Sequence, residues 1–143
     1  MKDMTLALAS ELADGTLAAG RAEGCQPLAV VVLDAGGHDV VVKREDRCGL
    51  LRADIARGKA WGALGMGFGS RDLAKRAEGN PRFFAALAAL SGGRMIPNPG
   101  GVLVRNADGD VVGAVGVSGD TSERDEACAV ASIGRAGMTA DAG

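Results

Sequence analysis

Two hydrophobic periods alternate along the chain. From Thr5 to about Gly20, Leu8 and Leu12 stand four apart with Ala9 and Ala13 beside them, the apolar stripe of a helix. Gly24 and Pro27 break that pattern, and Leu28 to Leu33 follows as a continuous, β-branched run suited to a buried strand. Asp34-Ala35-Gly36-Gly37 has turn chemistry, since glycine accepts positive φ without a Cβ clash, so His38 to Lys43 returns as the second strand of a hairpin. A helix is predicted from about Gly49 to Leu64, with Leu51, Ile55, Gly58 and Gly62 along one side. Arg52, Ala56 and Lys59 align on a neighbouring side, as a solvated basic face or as two cations aimed at one place.

After the Gly-rich stretch from Gly65, two short helices are predicted, with Ser70 as the cap of one and Asn80-Pro81 as the start of the other. Leu73, Phe83, Phe84, Leu87 and Leu90 supply core candidates, and Arg94-Met95-Ile96 reads as a short edge strand. Gly101 to Arg105 and Asp110 to Val117 form a second hairpin around Asn106-Ala107-Asp108-Gly109. Within it Val111, Val115 and Val117 share one face, while Gly113 and Gly116 call for something that approaches closely, a helix or a ligand. Ser122 is a plausible cap for a last helix running to about Ala136, with Glu123 and Asp125 near its positive end.

LDAGGHDVVV from Leu33 and NADGDVVGAV from Asn106 echo each other, each a turn that leads into an apolar strand and then a helix. Two hairpin-plus-helix units impose antiparallel pairing. The expected class is therefore α/β in the α+β sense, a central antiparallel sheet of about five strands with flanking helices, rather than a doubly wound parallel sheet.

Composition narrows the picture. A chain of 143 residues with 47% hydrophobic content reads as one globular domain over residues 1–143. Its net charge of −2 and 3% aromatic content give no electrostatic or stacking case for nucleic acid. No apolar run is long enough to span a membrane, and Glu11 and Asp14 interrupt any signal-like core, so a cytoplasmic location is expected. Cys25, Cys48 and Cys128 form no C-x-x-C pair and are expected to be reduced, structural thiols.

Chemistry concentrates where the last strand meets the last helix. Ser118, Gly119, Asp120 and Thr121 form a turn at a helix N-terminus, where backbone N–H groups favour an anion. Ser122 or Thr121 capping the helix is the simpler role of a single hydroxyl there. Arg44, Asp46, Arg52 and Lys59 follow the first hairpin and are expected near the end of the sheet, a set suited to a carboxylate-bearing small ligand. Asp46, Asp125 and His38 are the acid/base candidates of an enzyme acting on a small anionic metabolite. His38, the single histidine, is alternatively a surface residue of its hairpin. Gly65, Gly67 and Gly69 follow a helix and lack a Walker lysine, and Gly116-Val117-Ser118-Gly119-Asp120 lacks the second glycine of a hydrolase elbow.

LDAGGHDVVVKRED from Leu33, GKA from Gly58, and PGGVLV through GAVGVSGDTSERDEACA together resemble the GlcG/HbpS-like, or haem-degrading domain, family over nearly the whole chain. That resemblance implies a profilin-like fold, assembly into homo-oligomers of two or more copies, and a small-molecule ligand, with haem or another tetrapyrrole as the leading candidate. It points to Asp34, Gly36, Gly37, His38, Arg44, Asp46, Lys59, Gly116, Ser118, Gly119 and Asp125 as site residues. His38 is the expected metal ligand, with Cys48 or a methionine as an alternative axial group.

Overall fold

The computed structural model describes residues 3–143. Helix α1 (Leu6–Ala22) precedes the hairpin β1 (Ala29–Asp34) and β2 (Asp39–Arg44). Helices α2 (Arg52–Met66), α3 (Ser70–Gly79) and α4 (Pro81–Leu90) follow. A second hairpin, β3 (Gly101–Arg105) and β4 (Val111–Ser118), leads into α5 (Ser122–Arg135) and a short β5 (Thr139–Asp141). The five strands form one sheet in the order β2-β1-β4-β3-β5, with every pairing antiparallel.

The two hairpins are closed by the same device. Asp34 Oδ1 accepts from the amides of Gly36 and His38 at 3.0 Å each. Asn106 Oδ1 accepts from the amides of Asp108 and Asp110 at the same distance. Each Asx side chain thus substitutes for a backbone acceptor and sets its turn. Because β1 and β4 then pair with each other at the centre, both are buried on both faces and read as continuous apolar runs.

Strand alternation sends Val30, Val32, Val102, Val104, Val115 and Val117 to one face, where they pack with Leu8, Leu12, Ala129 and Ile133 of α1 and α5. Val31, Leu33, Leu103 and Ala114 face α2 on the other side. Val111, expected beside Val115 and Val117, lies against the α2 cluster instead. A register shift opposite Arg105 inserts one residue, so Val112 takes the place that simple alternation assigns to Val111.

Several boundaries differ from the sequence expectation. Arg94-Met95-Ile96 is not a strand: the amide of Ile96 donates to the carbonyl of Gly58, tying the segment to α2, and Pro97 and Pro99 follow. The fifth strand is β5, brought back against β3 after Gly137 turns the chain at φ 77°. The cap of α5 is Thr121, whose hydroxyl accepts from Arg124 N at 3.2 Å, rather than Ser122. Ser70 opens α3 without capping it, because its hydroxyl accepts from Gly101 N at 2.7 Å.

The α2 face of the sheet is deliberately thin. A Cβ on Gly116 would stand 1.9 Å from the Ala56 carbonyl oxygen, and one on Gly101 2.2 Å from the Lys59 carbonyl oxygen. Ala56, Ala60 and Ala63 complete the contact from the helix side. This close approach accounts for Gly116 by a packed helix.

Gly116→Ala should therefore lower unfolding free energy by about 3 kcal/mol, since the obstacle is backbone that cannot rotate away. Gly65→Ala, in α2 with nothing within 4 Å of the added carbon, should raise it by about 0.5–1 kcal/mol. Urea denaturation of the two variants checks both, and equal effects would contradict the packing account.

Candidate functional site

Drawing α2 onto Gly101 and Gly116 carries its polar residues to the end of the sheet where β1 begins and β4 ends. Ala29 there pairs with Ser118, and Gly101 with Gly116. Lys59 is 3% exposed, so it is not part of a solvated basic face. Its Nζ donates to the Val117 carbonyl at 2.9 Å and to Asp125 Oδ2 at 3.4 Å. Asp125, 1% exposed, accepts the amide of Asp120 on its other oxygen at 2.9 Å. Burial lowers the Lys59 pKa against the pull of Asp125, and burial raises that of Asp125 against the Asp120 amide and Lys59. The proton between them is thus held less one-sidedly than it is in water.

This pair forms the floor of a cleft of about 300 Å³ whose walls include Arg52, Asn98, Ser118 and Asp120. Arg52, half-buried at the start of α2, donates through Nη1 to the fully buried Ser118 hydroxyl at 3.3 Å. Among the described residues Arg52 makes no ion pair, although nine salt bridges of other Lys and Arg side chains span the molecule. It is the cation of the cleft that no carboxylate pairs.

The turn from Ser118 to Thr121 plays a different part from that of an open anion cradle. Its Asp120 amide is taken by Asp125, and the Thr121 amide by Asp120 Oδ1 at 2.7 Å. Asp120 Oδ2 accepts from Gln26 N at 2.8 Å and from Arg124 at 3.3 Å. Those backbone amides, from Gln26 and then Thr121, hold the Asp120 carboxyl below its usual range. Gly119 sits at φ 154°, and a Cβ there would strike the Pro27 carbonyl oxygen at 2.2 Å. The Asp120 and Thr121 amides are thus already engaged by carboxylates, and the cation that faces this cleft without an ion pair is the Arg52 side chain.

Ile55 and Ile96 line the cleft and also a neighbouring groove of about 380 Å³. That groove is walled by Leu51, Gly58 and Trp61, with Arg57 and Arg94 among its lining residues. The Arg94 guanidinium stacks on the Trp61 ring at 4.2 Å. A Cβ on Gly58 would fall 2.5 Å from Ile96, so the glycine lets residues 94–96 lie along the helix and form a groove wall. Trp61, Ile55, Ile96, Asn98 and Arg94 were not among the expected site residues. The spacing of Gly58 and Gly62 signals a close partner, but not that the partner is the 94–96 segment.

The remaining candidates lie apart from the cleft. Arg44 is exposed and donates to the Cys48 carbonyl at 2.7 Å, and with Asp46 it borders a separate surface hollow beside Arg21 and Glu45. His38 is at the opposite end of β1, about 17 Å along the strand at 3.3 Å per residue. Its Nδ1 meets Asp34 Oδ1 at 3.1 Å. Backbone and side-chain bonds from His38 hold the Asp34 carboxyl below its ordinary value. Gly37, next to His38, lines the apolar groove and approaches Trp61. Among the described residues no three His, Cys, Asp or Glu side chains cluster as a metal site, and no helix is long and apolar enough to cross a membrane.

Comparison with known proteins agrees with this architecture. An uncharacterized 15.0 kDa protein from the dhaT-dhaS intergenic region of Citrobacter freundii is 30% identical over 122 residues, covering 85% of this chain and 84% of that protein. The crystal structure of Klebsiella pneumoniae protein ORFY superposes with a TM-score of 0.85 at 26% identity, over 96% of this chain and 92% of that one. A PduOC:heme complex superposes equally well, with a TM-score of 0.85 at 22% identity over 95% and 96% of the two chains, a likeness of fold. Residues 4–134 match the model of a family described as haem degrading protein HbpS-like, and the chain belongs to that family.

Proposed function

We propose that this chain is a small-ligand-binding protein whose ligand combines an apolar body with carboxylate, the class to which haem and other tetrapyrroles belong. The observation that carries the reading is Arg52, a cation in no ion pair beside Ser118, in a cleft that shares Ile55 and Ile96 with a largely apolar groove. From Arg52 to Trp61 the depression follows about 14 Å of α2 at 1.5 Å per residue. A guanidinium binds a carboxylate through two parallel hydrogen bonds, which fixes orientation as well as charge. Trp61, Ile55 and Ile96 supply the surface that removes an apolar ring system from water. The family description, which names haem, supports the same class.

The residues present suit an iron-bearing ligand in one respect. Asp34 engages His38 Nδ1 and leaves Nε2 outward, the arrangement that orients an imidazole toward a metal, and the adjacent Gly37 belongs to the groove. His38 would then hold the iron, with Asp34 as its positioning partner. Bound haem supplies an iron centre capable of redox and ligand exchange. Lys59 and Asp125 anchor the polar end, with Ser118 and the Asp120 turn held in place around them. Assembly into a homo-oligomer belongs to the same proposal, supported by large exposed apolar side chains such as Leu50, Leu51 and Leu90.

The buried Lys59–Asp125 pair favours a second reading, an enzyme acting on a small anionic metabolite. In it Arg52 binds the anion and the pair moves a proton.

Titrating the full chain with haemin should produce a saturable Soret shift at micromolar protein. Arg52→Ala should weaken binding about tenfold, the loss of one charge-assisted bond. Unchanged affinity in that variant would remove the cleft from the reading. His38→Ala should move the Soret maximum while leaving the affinity for iron-free protoporphyrin unchanged, and an identical spectrum would exclude His38 as the axial ligand.

A further inference from the structure

Cys25 and Cys128 are separated by 103 positions in sequence, yet their sulfurs lie 3.9 Å apart. Both are buried, at 5% and 3% exposure, on the side of the sheet away from α2. Both line a cavity of about 230 Å³ that also borders Ala19, Ala131, Arg124 and Arg135. Cys48, buried elsewhere in the β2–α2 connection, has no thiol beside it. We propose that Cys25 and Cys128 are a redox-active pair that a small hydroperoxide, admitted through this cavity, closes into a disulfide.

The surroundings suit closure. A disulfide needs its sulfurs about 2.05 Å apart, so the pair must close by about 2 Å, shared between two side chains and their backbone. Cys25 sits in the connection between α1 and β1, which has no strand partners to lose. That connection is already fastened to the start of α5, because Gln26 N donates to Asp120 and Arg124 donates to the Glu23 carbonyl. Closure therefore joins two segments that are already held together.

The chemistry balances without a metal. The Cys25 thiolate attacks the terminal peroxide oxygen, the O–O bond breaks, and the released alkoxide, or hydroxide where the oxidant is hydrogen peroxide, takes a proton, leaving an alcohol or water and a Cys25 sulfenic acid. The Cys128 sulfur then attacks the Cys25 sulfur, the S–O bond breaks, and the thiol proton leaves with the hydroxyl as water. Two thiols are oxidised and one peroxide is reduced. Cys25, in the connection between α1 and β1, takes the first step, and Cys128, whose thiol is pushed up by burial and then by the neighbouring Cys25, resolves it from α5. Formation should accelerate as pH rises, because the thiolate is the more nucleophilic form of a cysteine.

The test uses the reduced full chain treated with a few equivalents of hydrogen peroxide. Expected are loss of two of the three free thiols, a mass lower by two hydrogens, a Cys25–Cys128 linked peptide, and reversal by dithiothreitol. Cys48→Ser should behave the same with its two remaining thiols, and Cys128→Ser should accumulate a Cys25 sulfenic acid that dimedone captures. If Cys128→Ser does not fold, the peptide map of the Cys48→Ser protein decides alone. Persistence of all three thiols in protein with native circular dichroism, or links that run only through Cys48, would overturn the proposal.

Discussion

The contact on which the structure depends is the seating of α2 against Gly101 and Gly116. Two positions without Cβ atoms let the helix backbone come so near the sheet that the carbonyls of Ala56 and Lys59 occupy the space side chains would fill. The helix cannot slide without striking strand backbone, so the residues at its start have fixed places relative to the strand ends. Lys59 reaches the Val117 carbonyl because of that seating, and Arg52 reaches Ser118 for the same reason. The site is thus a by-product of packing, with its precision set by backbone rather than by flexible side chains.

Electrostatics at the cleft follow from which charges are already satisfied. Asp125 and Asp120 spend their oxygens on backbone amides, Lys59 and Arg124, and these bonds make the turn before α5 rigid. Lys59 is neutralised by its buried neighbour. What remains is the guanidinium of Arg52, partly shielded from water beside a buried hydroxyl. A half-buried cation in no ion pair has more consequence than an exposed surface pair, because its field is less screened.

Much of the fold was legible in the chain. Paired turns at Asp34 and Asn106, each followed by an apolar strand and a helix, dictate antiparallel hairpins, and the doubly buried β1 shows in its unbroken Val30-Val31-Val32 run. The C-terminal strand was not legible: Thr139-Ala140-Asp141 has no strand pattern and forms because β3 offers an open edge. Of the site, the meeting of Lys59, Arg52, Ser118 and Asp125 follows from one hairpin-plus-helix unit pairing with the other. The groove beside it depends on where the 94–98 loop settles. That is a matter of Gly58 packing, which periodicity does not encode. His38 illustrates the converse, since it lies at the far end of β1, while Arg44 and Asp46 reach the cleft's end of the sheet but border a separate hollow.

The central claim, that the α2 trough is where a ligand binds, is tested most directly by mapping backbone and indole N–H shifts in the ¹⁵N-labelled full chain during titration with iron-free protoporphyrin. The account predicts that the largest changes fall on Arg52, Ile55, the Trp61 indole, Ile96 and Ser118, with little change at Arg21, Arg44 and Asp46. Changes concentrated in that second group, or spread without locus over the surface, would contradict it.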